Sequence, residues 1–508
     1  MTKNRTFNAK RNMLSGMLNK IIVLTLPFII RTIIIRELGV EYAGLSTLFA
    51  SILQVLNMTE LGFSSAVIFS LYKPMADGDN DAICALMAFY RKIYRIVGVV
   101  ILMAGIIIMP FLKYLIKGSY PDTINLYFLF VIYLVNTVFS YLAFAYKNVL
   151  LSASQRQDII NNVSSILDTL KCIIQIIVLI IWKNYYAYII WNVIFTIANN
   201  LVVAYITKHR FPELRCKGII GEEKKQKIVK QMKGLAISQV SKTTRNSLDS
   251  IVLSACCGLL AVTIYGNYYY VFSAVLGFLG VIVQSISAGV GNSVAIETVE
   301  KNYEDFKRFN YYMSWIGGWC TIAMLCLYQP FMDLWVGKEL IASFEIMLLF
   351  CIYFYIVQMG QIRSVYSNAA GLWWEFRWLE IFEIIINLTL NISLGLKFGL
   401  AGIIFASIIA VFIFSIIGTT IITIRLYFKR SSAEYFFYCG VYCAVILIVA
   451  YFTYLICEMV VMGGILGLSL KLCIVVLLPN SMLFLISMLQ KKHRNYLLAL
   501  IRKNHYLV

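Results

Sequence analysis

The chain has 508 residues, 60% of them hydrophobic and only 14% charged, with a mean hydropathy of +0.80. That is about half the charged share of a soluble protein, and apolar runs of about twenty residues recur from end to end, so a water-soluble domain is excluded and an all-α polytopic membrane protein is indicated. The net charge of +19 sits in short loops between those runs, where it marks orientation and gives no reason to expect a nucleic-acid partner.

In chain order, about fourteen apolar runs lie near 16–38, 44–72, 84–112, 123–146, 158–182, 185–207, 236–262, 267–296, 309–332, 342–367, 374–396, 401–426, 434–457 and 463–489. The basic start (Lys3, Arg5, Lys10, Arg11) leads into a run long enough to span, with no small-residue cleavage site, so a cleavable signal peptide is not expected. Alternate loops and tails on one side hold about 32 of the 44 Lys and Arg, against about 6 on the other (Arg36, Lys113, Lys117, Lys183, Lys338, Lys397). This bias predicts both termini in the cytoplasm. The longest polar interval, Lys208 to Lys233, reads as a cytoplasmic linker with some helix on the anionic membrane surface. A weak echo connects the halves. Lys20 stands 24 residues before Gly44 in EYAGL and Lys242 stands 24 before Gly266 in TIYGNY, predicting a long span that ends at a Tyr/Gly turn each time. Copies six spans apart would enter from the same side, as parallel repeats do in some transporters.

The twelve cysteines fall mostly inside spans and read as small apolar fillers in a reduced state. The three histidines, His209, His493 and His505, fall in predicted cytoplasmic segments. That excludes a histidine zinc site or a histidine-dependent acyltransferase within the spans. The acidic cluster DGDND, Asp77 to Asp81, opens like a calcium loop but has Ala82 where Gly is needed and Ala88 where Glu is needed. A polar turn capping the third span is the simpler reading; a glycosyltransferase metal motif would have to face outward, and this loop is predicted inside.

Ionisable groups inside spans carry the functional question. Arg31 stands among apolar residues in LTLPFIIRTIIIREL, four residues after Pro27. It either lines a cavity in a bent helix or snorkels to the headgroups. In the seventh run, Lys242, Arg245 and Asp249 have spacings of three and four and share one helical face. That face must turn to protein or water, and it is either a structural Arg245–Asp249 pair or a net positive surface able to receive an anion. Asp168 and Lys171 are three apart and read as a mutually neutralising pair. Arg363 sits with Gln358 and Gln361 in the tenth run, where anchoring at the interface and ligand contact are both open. Glu380, Glu383, Asn387 and Asn391 form a polar face on the eleventh, and Glu60 in NMTELGFSSAV is the acid best suited to ion coupling.

The stretch RTIIIRELGVEYAGLSTLFASILQVLNMTELGFSSAVIFSLYKPMADGD resembles the start of Wzx-type polysaccharide flippases, in the MOP superfamily with the MATE-like transporters. NSLDSIVLSACCGLLAVTIYGNYYYV resembles the matching region of their second bundle. The resemblance implies two six-helix bundles around a central cavity, residues 1–207 and 236–428, joined by a basic linker at 208–235. Two additional transmembrane helices follow at 429–490, then a basic cytoplasmic tail at 491–508. It implies a non-enzymatic transporter without a cofactor, in the bacterial cytoplasmic membrane. By alternating access it would move undecaprenyl-pyrophosphate-linked oligosaccharide repeat units outward for a surface polysaccharide such as capsule or O-antigen. A polymerase of the same pathway is the further partner it implies. In that setting Arg31, Lys242 and Arg245 fit the pyrophosphate-binding role, since guanidinium offers bidentate donors to phosphate. A MATE-like ion-coupled exporter of small molecules is the alternative and would want acidic groups to dominate the cavity. A membrane polymerase or ligase would carry a large outer loop, whereas the longest here are about ten residues.

Overall fold

The computed structural model describes residues 2–57, 63–142, 144–214, 216–222, 226, 229, 243, 247–489 and 493–494. They form two compact units, 1–263 and 264–508. Among the described residues, nine helical runs are long and apolar enough to cross a membrane, and three shorter apolar helices accompany them. The protein is a multi-pass membrane protein.

The first unit contains α1 (Thr2–Glu37), α2 (Val40–Leu56), α3 (Phe63–Asp77), α4 (Asn80–Ile108), α5 (Leu126–Leu142), the short α6 (Asn148–Ala153), α7 (Gln157–Ile177) and α8 (Tyr185–Arg210). It ends with α9 (Ser247–Cys257) and the first turn of α10 (Leu259–Ile296). The physical signature of lipid is plain on α4. Its buried stripe includes Tyr90, Tyr94, Val97 and Ile101, while the opposite stripe, Ile96, Val99, Met103 and Ile107, is equally apolar and exposed. A helix that is apolar on both faces needs hydrocarbon outside as well as protein inside. Asp79 starts this helix, its Oδ1 accepting from the Ala82 N–H at 2.9 Å, so the DGDND cluster does supply the cap expected of it.

The α1–α7 contact is a polar zipper. Ser15 Oγ donates to Asn162 Oδ1 at 2.6 Å, Asn19 Nδ2 to Ser165 Oγ at 3.0 Å, and Arg11 pairs with Asp158 at 3.0 Å. At the opposite end of these helices Lys183 pairs with Glu37 at 3.0 Å. The two ion pairs fix relative sidedness: Arg11 and the 154–157 loop lie at one end of the unit, the α1–α2 turn and Lys183 at the other. Asp168 and Lys171 pair at 2.6 Å, as their spacing suggests.

The second unit holds the remainder of α10, then α11 (Val299–Val336), α12 (Phe344–Met359), α13 (Gln361–Ala369), α14 (Trp373–Ala410), α15 (Thr419–Leu426), α16 (Ala433–Glu458) and α17 (Gly464–Leu489). Its core is aromatic, with Phe272, Phe350 and Phe354 in one cluster and Tyr303, Phe306, Tyr366 and Phe428 in another. Non-helical backbone at Gly399 (φ 57, ψ −134) breaks α14, and a π-helical turn, Val411–Gly418, leads into α15. The last two helices join through α11, where the Trp315 and Trp319 indoles donate to Asn480 Oδ1 and the Val475 carbonyl, both at 2.9 Å.

Two expectations need correction. The run 44–72 begins earlier, at Val40, and α2 stops at Leu56. The run 342–367 stands as one apolar run, Phe344–Ala369, with α12 and α13 meeting at Gly360. The echoed turns are not at Gly44 and Gly266, which are helical; positive φ places them at Gly39 and Gly258, where only glycine is unstrained.

Candidate functional site

Arg31 is half-buried, and α1 carries it through Pro27 as one continuous helix. Its Nη1 donates to Thr47 Oγ1 at 3.0 Å and its Nη2 to the Thr263 carbonyl at 3.2 Å. Hydrogen bonds to a hydroxyl and a carbonyl orient the guanidinium. Thr263 is held in turn, its hydroxyl donating to the Val40 carbonyl at 2.8 Å. Around it the end of the first unit is closely packed. A side chain on Gly44 would overlap the Leu259 carbonyl, and Lys117 Nζ donates to the Cys256 carbonyl at 2.7 Å. Tyr133 donates to Ser46 Oγ at 3.2 Å and shares a 3.0 Å contact with the Tyr185 hydroxyl. Arg31 is therefore held in place by two partners within the first unit, Thr47 and Thr263.

Asp249 is buried on α9 in the same unit, among the buried hydroxyls of Ser247, Ser250 and Ser254. Lys242, Arg245 and Glu60 lie outside the described residues.

The other candidates come together in the second unit. Glu383, Asn387 and Asn391 are all buried on one face of α14. Ser415 Oγ donates to Glu383 Oε2 at 2.6 Å, Asn387 Nδ2 to Ser407 Oγ at 3.0 Å, and Asn391 Nδ2 to Asn387 Oδ1 at 3.3 Å. Pairing numbers rise on one strand of this hairpin as they fall on the other, so the Gly399 turn folds α14 back antiparallel. Arg363, on α13, is 6% exposed, and its electrostatic neighbours include Glu383 and Glu380. Burial among carboxylates is not what interfacial anchoring requires. Gln358 on α12 is also buried, with neither amide atom hydrogen-bonded.

Sequence reading missed Thr47 and Thr263 as partners of Arg31. A signal for Thr47 existed. Arg31 and Thr47 stand eight residues either side of Gly39, which makes them opposite each other in a helical hairpin turned there. Thr263 had none, because 232 residues separate it from Arg31.

Residues 9–287 match the profile of a family described as polysaccharide biosynthesis protein. The chain belongs to this family. No curated protein matches the sequence. Among solved structures, the chain is similar to the lipid II flippase MurJ in an inward closed conformation, with a TM-score of 0.64 at 14% identity over 94% of this chain and 99% of that one. It is also similar to an inward-facing multidrug resistance MATE transporter of the MOP superfamily, with a TM-score of 0.60 at 14% identity over 83% and 100%. A MOP superfamily transporter from Pyrococcus furiosus gives 0.53 at 13% over 84% and 96%. These likenesses show a MOP fold. The family match and the fold likeness are two independent findings about this chain.

Proposed function

We propose that this protein moves undecaprenyl-pyrophosphate-linked oligosaccharide repeat units from the inner to the outer leaflet of a bacterial cytoplasmic membrane, by alternating access. The observation that carries the cargo class is membership of the polysaccharide biosynthesis protein family over residues 9–287. Arg31 supports it chemically. A pyrophosphate crossing hydrocarbon needs its charge compensated, and a guanidinium already oriented by Thr47 and Thr263 can offer a bidentate fork at little further ordering cost. On the charge bias, the end of the first unit that carries Arg11 faces the cytoplasm and the sealed end near Arg31 faces outward. Lys242 and Arg245, nearer the cytoplasm, would load the pyrophosphate, and Arg31 would hold it during the outward step. Glu60 is the proposed coupling acid, with Asp249 as its competitor.

The second reading, ion-coupled export of a small molecule, draws on the likeness to the MATE transporter and on the buried carboxylates Asp249 and Glu383. Reconstitution in proteoliposomes separates the two. Wild-type protein should translocate a lipid-linked oligosaccharide; Arg31→Ala should stop this at matched protein level, and Arg31→Lys should restore only part, since a point charge replaces a fork. Transport of a cationic dye without any movement of the lipid-linked sugar would overturn the proposal. Full activity of Arg31→Ala would remove Arg31 from the site.

A further inference from the structure

The first unit contains a cavity of about 430 Å³ that the transport reading does not use. Its walls come from α4 (Cys84, Met87, Arg91), from the segment joining α5 to α6 (Tyr146, Lys147), from Leu150 on α6, from the end of α8 (Thr207, Lys208), and from Phe211, Pro212, Leu214 and Cys216 just after it. Three of the lining side chains are cationic, Arg91, Lys147 and Lys208, and among the described residues no carboxylate lines it. Glu213, in the same segment, points to solvent and stays out of the wall. Among the described residues, none of these three cations forms an ion pair. Their neighbours are of other kinds. Arg91 lies beside the Tyr146 hydroxyl, and the Lys147 ammonium lies 5.4 Å from the Phe144 ring.

Holding three like charges around a partly buried space is unfavourable unless something of opposite sign enters it. The cost shows on Lys147. Burial, with the nearby Lys208 charge adding to it, holds its ammonium below the usual lysine range. The volume falls within the range of small-ligand pockets. The lining is amphipathic in a useful order: Met87, Leu150, Leu214 and Phe211 supply apolar wall, while the cations and the Thr207 and Tyr146 hydroxyls supply donors. Position adds a third observation. α8 leaves the Lys183 end of the unit and delivers Lys208 about 35 Å along its axis. The cavity is therefore at the level where a spanning helix emerges among headgroups, on the same end as Arg11 and Asp158.

We propose that this cavity is a binding site for a phosphate monoester or diester anion, separate from the Arg31 site. Arg91 and Lys147 hold the phosphoryl oxygens and Lys208 closes the mouth. Basic pockets between membrane helices on the cytoplasmic side suit anionic lipid headgroups, and a free phosphate presents the same oxygens. The inference does not depend on the transported cargo.

Purified full-length protein in an uncharged detergent tests it by isothermal titration with two probes, a short-chain phosphatidylglycerol and inorganic phosphate. Saturable binding of either, weakened at least about tenfold in Lys147→Gln/Lys208→Gln, supports the site, since each lost charged hydrogen bond is worth about that factor. Binding of the lipid alone identifies the headgroup as the source, binding of phosphate alone identifies the free anion, and competition between the probes shows that both occupy this one site. Lys208→Gln by itself is an exposed change that leaves the fold intact and should still weaken binding several-fold. No saturable binding of either probe, or equal binding by wild type and Lys208→Gln, would overturn the proposal.

Discussion

Asn387 has no exposed surface, and its amide nitrogen meets the Ser407 hydroxyl across the α14 hairpin at 3.0 Å. Buried polar pairs of this kind contribute modestly while intact and cost more when half is removed. Ser407→Ala should therefore destabilise the protein by about 1–3 kcal/mol, the desolvation cost of one orphaned amide, read as a lowered unfolding midpoint in detergent. An unchanged midpoint would mean that the amide finds another acceptor. That Asn387 belongs to a polar face with Glu383 and Asn391 is legible from their spacing of four. That the face is covered by Ser407 and Ser415 is not, because two strands of a hairpin share no short-range pattern. Arg363 makes the same point: its side chain reads equally well as anchor or ligand until α14 places two carboxylates beside it.

Packing between α4 and α5 depends on small residues at two successive positions on α4. Gly98 faces Leu142 and Gly105, seven residues on, faces Leu134, and a Cβ at Gly105 would collide with that leucine. Glycine here is a matter of close approach, which dispersion between membrane helices rewards. Gly105→Leu should lower stability by about 1–3 kcal/mol through overpacking, and adding Leu134→Ala should recover part of the loss. A double variant no more stable than Gly105→Leu would show that the two side chains do not compete for one space. Most helices were legible as apolar runs, down to the break between 374–396 and 401–426, where Gly399 turns the chain. The break at Leu56 was not, since an apolar run reports burial and is silent about a turn within it.

The Arg11–Asp158 and Lys183–Glu37 pairs assign the turns of the first unit to opposite ends. Which end faces the cytoplasm follows from the charge bias of about 32 to 6 over many short loops. A single cysteine at position 225, in a cysteine-free background, should resist an impermeant maleimide applied to intact cells and react after permeabilisation. Labelling from outside would invert the topology. It would also move the basic cavity to the outer surface.

By itself the sequence determined the class, the helical runs and the alternation of charge, because hydrophobic length and loop charge are local properties that the bilayer reads directly. It also carried the family resemblance, in two short stretches. Only the tertiary structure decided which polar groups meet. Arg31 acquires Thr263 across 232 residues, and Arg91, Lys147 and Lys208 converge from three separate segments. A periodic pattern can say that a charge must leave the lipid; it cannot say which distant helix receives it.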